Sequence, residues 1–227
     1  MSVEVEGLPR QTRPNVDEVL ESFLNDQQKR LSAQTISSYE AVVQLLRSYL
    51  NGYAYQGLSR AEARRFDRFF NAEGKEHREF CQLFGPEKIL ENLGGFLGDF
   101  IVRKVMAGED FKRTSGTVAR KLSKWLGEKR YVSEADAGKG ERRGAIAARQ
   151  LVDAERAARL LQEAANRLGI DTSELPAEDY VDFDHFTIIR VEPGRLWLEV
   201  WEGGRRVPGV RSQLRSGRRG FSERAGT

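Results

Sequence analysis

The sequence predicts an α+β protein, with a multi-helix N-terminal domain followed by a long helix and a small antiparallel β-meander. Three observations predict it. Apolar residues recur at three- and four-residue spacing from Val16 to Leu126, and alternation of period two takes over after Tyr180. Between them Ser133 to Gly144 has no large apolar residue and carries Gly138, Gly140 and Gly144, the composition of a linker. The expected organisation is therefore a helical domain at 15–132, a linker at 133–144, a helix with three strands at 145–211, and a disordered basic tail at 212–227.

Asn15 or Asp17 is placed to cap a first helix that carries Val16, Val19, Leu20, Phe23 and Leu24. Ser32 and Thr35 offer cap hydroxyls for a second, with Ile36, Tyr39, Val42, Val43, Leu46, Tyr49 and Leu50 inward and Asn51-Gly52 as its stop. Ser59 and Glu62 have the spacing of a capping box before Phe66, Phe69 and Phe70. A short helix is expected from about Lys75 to Phe84, and Pro86 then opens a central helix, broad in its apolar face, that runs to Gly108. Thr114 or Ser115 should cap a basic amphipathic helix with Val118, Leu122, Trp125 and Leu126 inward and Arg120, Lys121, Lys124 and Lys129 outward. Beyond the linker, Ala145 to Leu168 reads as a helix with Leu151, Ala154, Ala158, Leu161, Ala165 and Leu168 on one side. Three strands follow, turning at Pro193-Gly194 and Gly203-Gly204. The last strand runs into low-complexity sequence, which suggests a truncated or frame-shifted end.

Composition narrows the function. At 39% hydrophobic and 31% charged residues, the 227-residue chain belongs to the ordinary globular class. A single cysteine, Cys81, cannot form an intrachain disulfide, and no apolar run reaches the length of a membrane span; the expectation is a cytoplasmic protein without membrane contact. Net charge is only +3, but bases gather late, from Arg113 to Arg149 and again from Arg205 onward. Such local potential attracts phosphate backbones and equally serves as a solvated surface.

Catalytic and metal signals are thin. Neither His77 nor His185 has metal-ligand spacing, and alternation separates Asp184 from His185 across a strand. Cys81, among Phe80, Leu83 and Phe84, reads as a buried inert thiol, and Gly94-Gly95 lacks the Gly-Lys-Ser/Thr ending of a phosphate loop. The expectation is no enzyme activity, no metal and no cofactor.

Phe23-Leu24, Arg30-Leu31-Ser32-Ala33-Gln34-Thr35, Tyr39, Leu45-Leu46 and Tyr49-Leu50 resemble the N-terminal SAM-like core-binding domain of the tyrosine recombinase (phage integrase) family. The resemblance covers about Val16 to Tyr53. It implies two helices joined by a Leu-Ser-x-x-Thr turn in a domain that clamps a DNA duplex. The family's His-x-x-Arg pair is missing, since His77 is followed three residues on by Phe80 and His185 by Ile188, so strand cleavage does not carry over. The function expected is non-catalytic DNA binding. Its candidate residues are Lys29, Arg30, Ser32 and Thr35 at the turn, and Arg113, Arg120, Lys121 and Lys124 on the basic helix. The alternative is a protein-interaction or structural module whose β-meander pairs, through its open edge, with a partner chain or a second copy.

Overall fold

A computed structural model describes residues 13–105, 107–168, 187–192, 195–199, 201–202 and 205–206. The chain divides into two compact units, one reaching to Arg159 and one beginning at Leu160.

Every described element of the first unit is a helix. Helix α1 (Val16–Gln28) starts at Asn15, whose side chain accepts from the Glu18 N–H while the Glu18 carboxylate accepts from the Asn15 N–H, both at 2.9 Å. Helix α2 (Ala33–Tyr53) starts at Ser32 and continues through Asn51-Gly52, which does not stop it. Helix α3 (Arg60–Phe70) has the predicted Ser59–Glu62 capping box. The short helix expected from Lys75 to Phe84 is instead a 3-10 turn at Gly74–Glu76 and one helical turn, α4 (Phe80–Leu83).

The central helix is also interrupted. Helix α5 (Glu87–Gly95) passes into a π-helical turn at Phe96–Phe100 and then into a short α6 (Ile101–Arg103). The extra residue of a π turn rotates the apolar stripe, so Phe96, Leu97 and Ile101 all face the core despite their irregular spacing. Helix α7 (Glu109–Glu128) begins ahead of the expected cap at Thr114 or Ser115, with Glu109 and Asp110 at the positive end of its dipole. Ser115 is buried inside it and donates to the Phe111 carbonyl at 2.9 Å. A left-handed Arg130 (φ 59°) ends the helix, and the Tyr131 N–H closes it on the Leu126 carbonyl at 3.0 Å.

The largest correction concerns 133–144. That segment is not a linker: α8 runs unbroken over Glu134–Leu168. Two of its glycines, Gly140 and Gly144, are contact points on α7. A side-chain carbon added at Gly144 would stand 2.5 Å from the Arg120 nitrogen and 2.8 Å from the Gly116 carbonyl oxygen; one added at Gly127 would stand 2.7 Å from the Ala137 Cβ. Contacts descend along α8 as they ascend along α7, so the two helices pack antiparallel, backbone against backbone. At the end where α7 begins, two charge pairs close the seam, Lys112 on Glu155 and Arg156 on Glu109 at 3.0 Å.

The core of this unit lies among α1, α2, α5, the π turn and α7. Phe23 is fully buried; its ring stacks on Tyr39 at 6.3 Å and meets Trp125 edge-on at 5.6 Å, tying α1 to α2 and α7. A second aromatic group, Tyr49, Tyr53, Phe96 and Phe100, holds α2 to the π turn. Most of the described chain is helix, which corrects the α+β class to a mainly helical one.

In the second unit the described residues do not form the three-stranded meander. Strand β1 (Thr187–Glu192) pairs antiparallel with β2 (Arg195–Glu199), with a register shift between Ile188 and Arg190. Among the described residues the two-residue strands β3 (Trp201–Glu202) and β4 (Arg205–Arg206) pair only with each other. Strands of two residues present too few ladder groups to extend a sheet. Among the described residues the single open-edged sheet expected to recruit a partner chain is thus replaced by two separate antiparallel pairings, with Ile189 and Val191 exposed. The expected tail at 212–227, with Asp182, Asp184 and His185, lies outside the described residues.

Candidate nucleic-acid interface

Helix α7 buries Val118, Ala119, Leu122, Ser123, Trp125 and Leu126, and the 3.6-residue period leaves a narrow band outside. Arg113, Arg120 and Lys124 fall on that band at separations of seven and four, with Lys121 beside Arg120; all four are exposed. Sequence periodicity thus assigned this face correctly. Neutralisation along it is uneven. Arg113 meets Asp110 at 3.1 Å and Lys124 meets Glu128 at 3.6 Å, both pairs between neighbouring turns. Arg120 and Lys121 have no ion pair with any described residue. Tyr39 of α2 lies within reach of the Arg120 charge; burial raises the Tyr39 phenol above its ordinary range, and Arg120 partly opposes this.

Two other cations of α7 are not on the band. Lys112 is buried, its ammonium held by Glu155 of α8. Lys129, expected on the outer face, is pinned to Asp26 of α1 at 2.9 Å and lies over the Trp125 ring at 5.5 Å. Asp26 also accepts from the Trp125 indole at 3.1 Å and from Lys29 at 3.2 Å. Hydrogen bonds from Lys129, Trp125 and Lys29 hold its carboxyl well below the usual carboxylate range.

The turn residues behave differently from one another. Lys29 is shared with Asp26, while Arg30 is exposed without an ion pair to any described residue. Ser32 is the α2 N-cap: its Oγ accepts from the Thr35 N–H at 3.3 Å and lies 2.9 Å from the Thr35 Oγ. Their hydroxyls are thus already engaged in starting a helix. Asp26 ties the end of α1 to the end of α7, so the turn and the basic helix belong to one packed unit.

Sequence reasoning counted the cations of α8 in a basic stretch but not among the candidate residues, and Arg142 fell in the segment read as a linker. Arg142 and Arg149, seven residues apart, are exposed on one stripe of that helix and have no ion pair with a described residue. A glycine pattern matched to the small residues of α7 was the available signal.

Among the described residues no three His, Cys, Asp or Glu side chains converge as metal ligands, and no helix is long and apolar enough to cross a membrane. His77 lies half-buried after the 3-10 turn, with its Nδ1 2.7 Å from the Phe70 carbonyl oxygen. Cys81 is fully buried; burial pushes its thiol far up, and its Sγ donates to the Arg47 carbonyl at 3.8 Å. No protein-family model, curated protein or solved structure matches this chain.

Proposed function

We propose that this protein binds DNA through the exposed face of α7, engaging the phosphate backbone without cleaving it. The observation that supports this reading is the alignment of Arg113, Arg120 and Lys124 with Lys121 beside them, two of the four having no carboxylate partner among the described residues. A rigid helix holds these charges at fixed spacing, so each phosphate contact releases counterions without first ordering a loop. The pairs on Arg113 and Lys124 are exposed, and pairs of that kind are worth little, so phosphate can replace their carboxylates.

Lys29 and Arg30, on the hairpin that resembles an integrase core-binding domain, extend the same surface in this reading; Ser32 and Thr35 serve it by fixing the turn. Action is by binding alone, in the cytoplasm, where a lone buried thiol meets no oxidant.

Fluorescence anisotropy of a labelled duplex, titrated with the full chain at several salt concentrations, tests the proposal. Arg120→Glu with Lys121→Glu should weaken binding about tenfold or more at low salt and reduce the slope of log affinity against log salt by about 2. The same double reversal at Arg218 and Arg219 serves as the control for nonspecific tail charge. An α7 variant with wild-type affinity and slope refutes the reading, as does a full chain that binds no duplex at low salt.

A further inference from the structure

Helix α8 also borders a second candidate site. Between α8 and the π turn runs a groove of about 550 Å³, within the range of small-molecule sites. Leu97 and Leu151, both nearly fully buried, form its floor, and Val102 and Ile146, 41% and 53% exposed, form its apolar walls. Three cations, Lys139, Arg142 and Arg143, line it and no acidic residue among the described ones does. Lys139 is shared with Asp136 at 2.8 Å; neither arginine has an ion pair with a described residue. The π turn supplies the opening. At Gly98 an added side-chain carbon would meet nothing within 4 Å, so this exposed position leaves the groove open; at Gly94 it would stand in ordinary contact, 3.6 Å from the Arg143 guanidinium.

We infer that this groove binds a single-chain amphiphile, with an aliphatic tail along Leu97, Val102, Ile146 and Leu151 and an anionic head, carboxylate or phosphate monoester, on Arg142 and Arg143. Charge complementarity selects the head, because guanidinium groups beside an apolar trough favour an anion and repel a cationic one. Apolar burial holds the tail, and its contribution grows with each methylene taken out of water. The site uses none of the α7 residues assigned to DNA, so either reading can fail without the other.

Isothermal titration of the full chain with dodecanoate tests it, with butanoate and dodecyltrimethylammonium as controls for tail and head. Dodecanoate should bind at least about tenfold more tightly than either control. Gly98→Leu should fill the trough and abolish binding while leaving the circular dichroism spectrum and melting temperature at or above wild type, since the position is open and leucine is the better helix former. Arg142→Glu with Arg143→Glu should weaken dodecanoate by a similar factor and not weaken dodecyltrimethylammonium. The inference is overturned if dodecanoate does not bind, if Gly98→Leu binds it as wild type does, or if the cationic amphiphile binds equally. It is also overturned if only vesicles containing phosphatidylglycerol, or only a helical peptide of leucine and glutamate, bind in its stead.

Discussion

Alanine at Gly116 should destabilise this protein, whereas alanine at Gly52 should stabilise it, and the opposite signs follow from what each new methyl group meets. Both glycines lie in helices with negative φ, so on propensity alone each substitution is favourable by about 1 kcal/mol. At Gly52 the new carbon has nothing within 4 Å, so the gain is retained. At Gly116 it would lie 2.5 Å from the Ala148 Cα, 2.8 Å from the Gly144 carbonyl oxygen and closer still to the Ala148 nitrogen. All three are backbone atoms and none can rotate away. Relief requires α8 to withdraw by roughly an ångström, which loosens Gly140 against Ser123 and the burial of Ala147 and Leu151. Overpacking costs about 1–3 kcal/mol, and against three backbone atoms the upper part of that range, about 2–3 kcal/mol, applies; with the propensity gain of about 1 kcal/mol deducted the net loss is about 1–2 kcal/mol. The two variants should therefore differ by about 2–3 kcal/mol, or roughly 5–10 °C in melting temperature for a chain of this size. Urea unfolding followed by circular dichroism measures this, with an unchanged slope showing that only stability has moved. A Gly116→Ala midpoint equal to or above wild type would show that α7 and α8 do not meet backbone to backbone.

Two further predictions follow from side chains that join elements. Asp26 is held in its charged form by Lys129, Trp125 and Lys29, so its folded pKa is depressed. Its contribution is then fully present above the unfolded value of about 4 and is lost as pH falls below it. Asp26→Asn should accordingly lower the melting temperature near neutral pH and flatten its decline below about pH 4; an acid limb as steep as wild type contradicts the assignment. Cys81, fully buried with its thiol raised by that burial, should resist iodoacetamide in the native protein and react at the rate of a free thiol once unfolded. Equal alkylation rates in the two states would place Cys81 outside the core.

Local rules located the helix starts that depend on neighbours in sequence. Asn15 with Glu18 and Ser59 with Glu62 form capping boxes three residues apart, and that spacing can be read without any fold. The periodicity of α7 likewise assigned Val118, Leu122, Trp125 and Leu126 inward and Arg120, Lys121 and Lys124 outward before any partner was known. Sequence alone thus determined these helix starts, much of the core and the basic stripe of the candidate site.

Tertiary contact decided what composition misread. Glycine has the same composition in a linker and in a close helix crossing; only the arrival of α7 shows that Gly140 and Gly144 leave room for another backbone. The same contact buries Lys112 against Glu155, removing from the surface a cation that local sequence cannot distinguish from Arg113. Where α5 gives way to the π turn, one inserted residue shifts the stripe, and packing of Phe96 and Leu97 selects that geometry over a regular helix. Propensity and capping act over a few bonds and can be read from the chain, whereas close approach between helices distant in sequence depends on atoms that only the folded structure brings together.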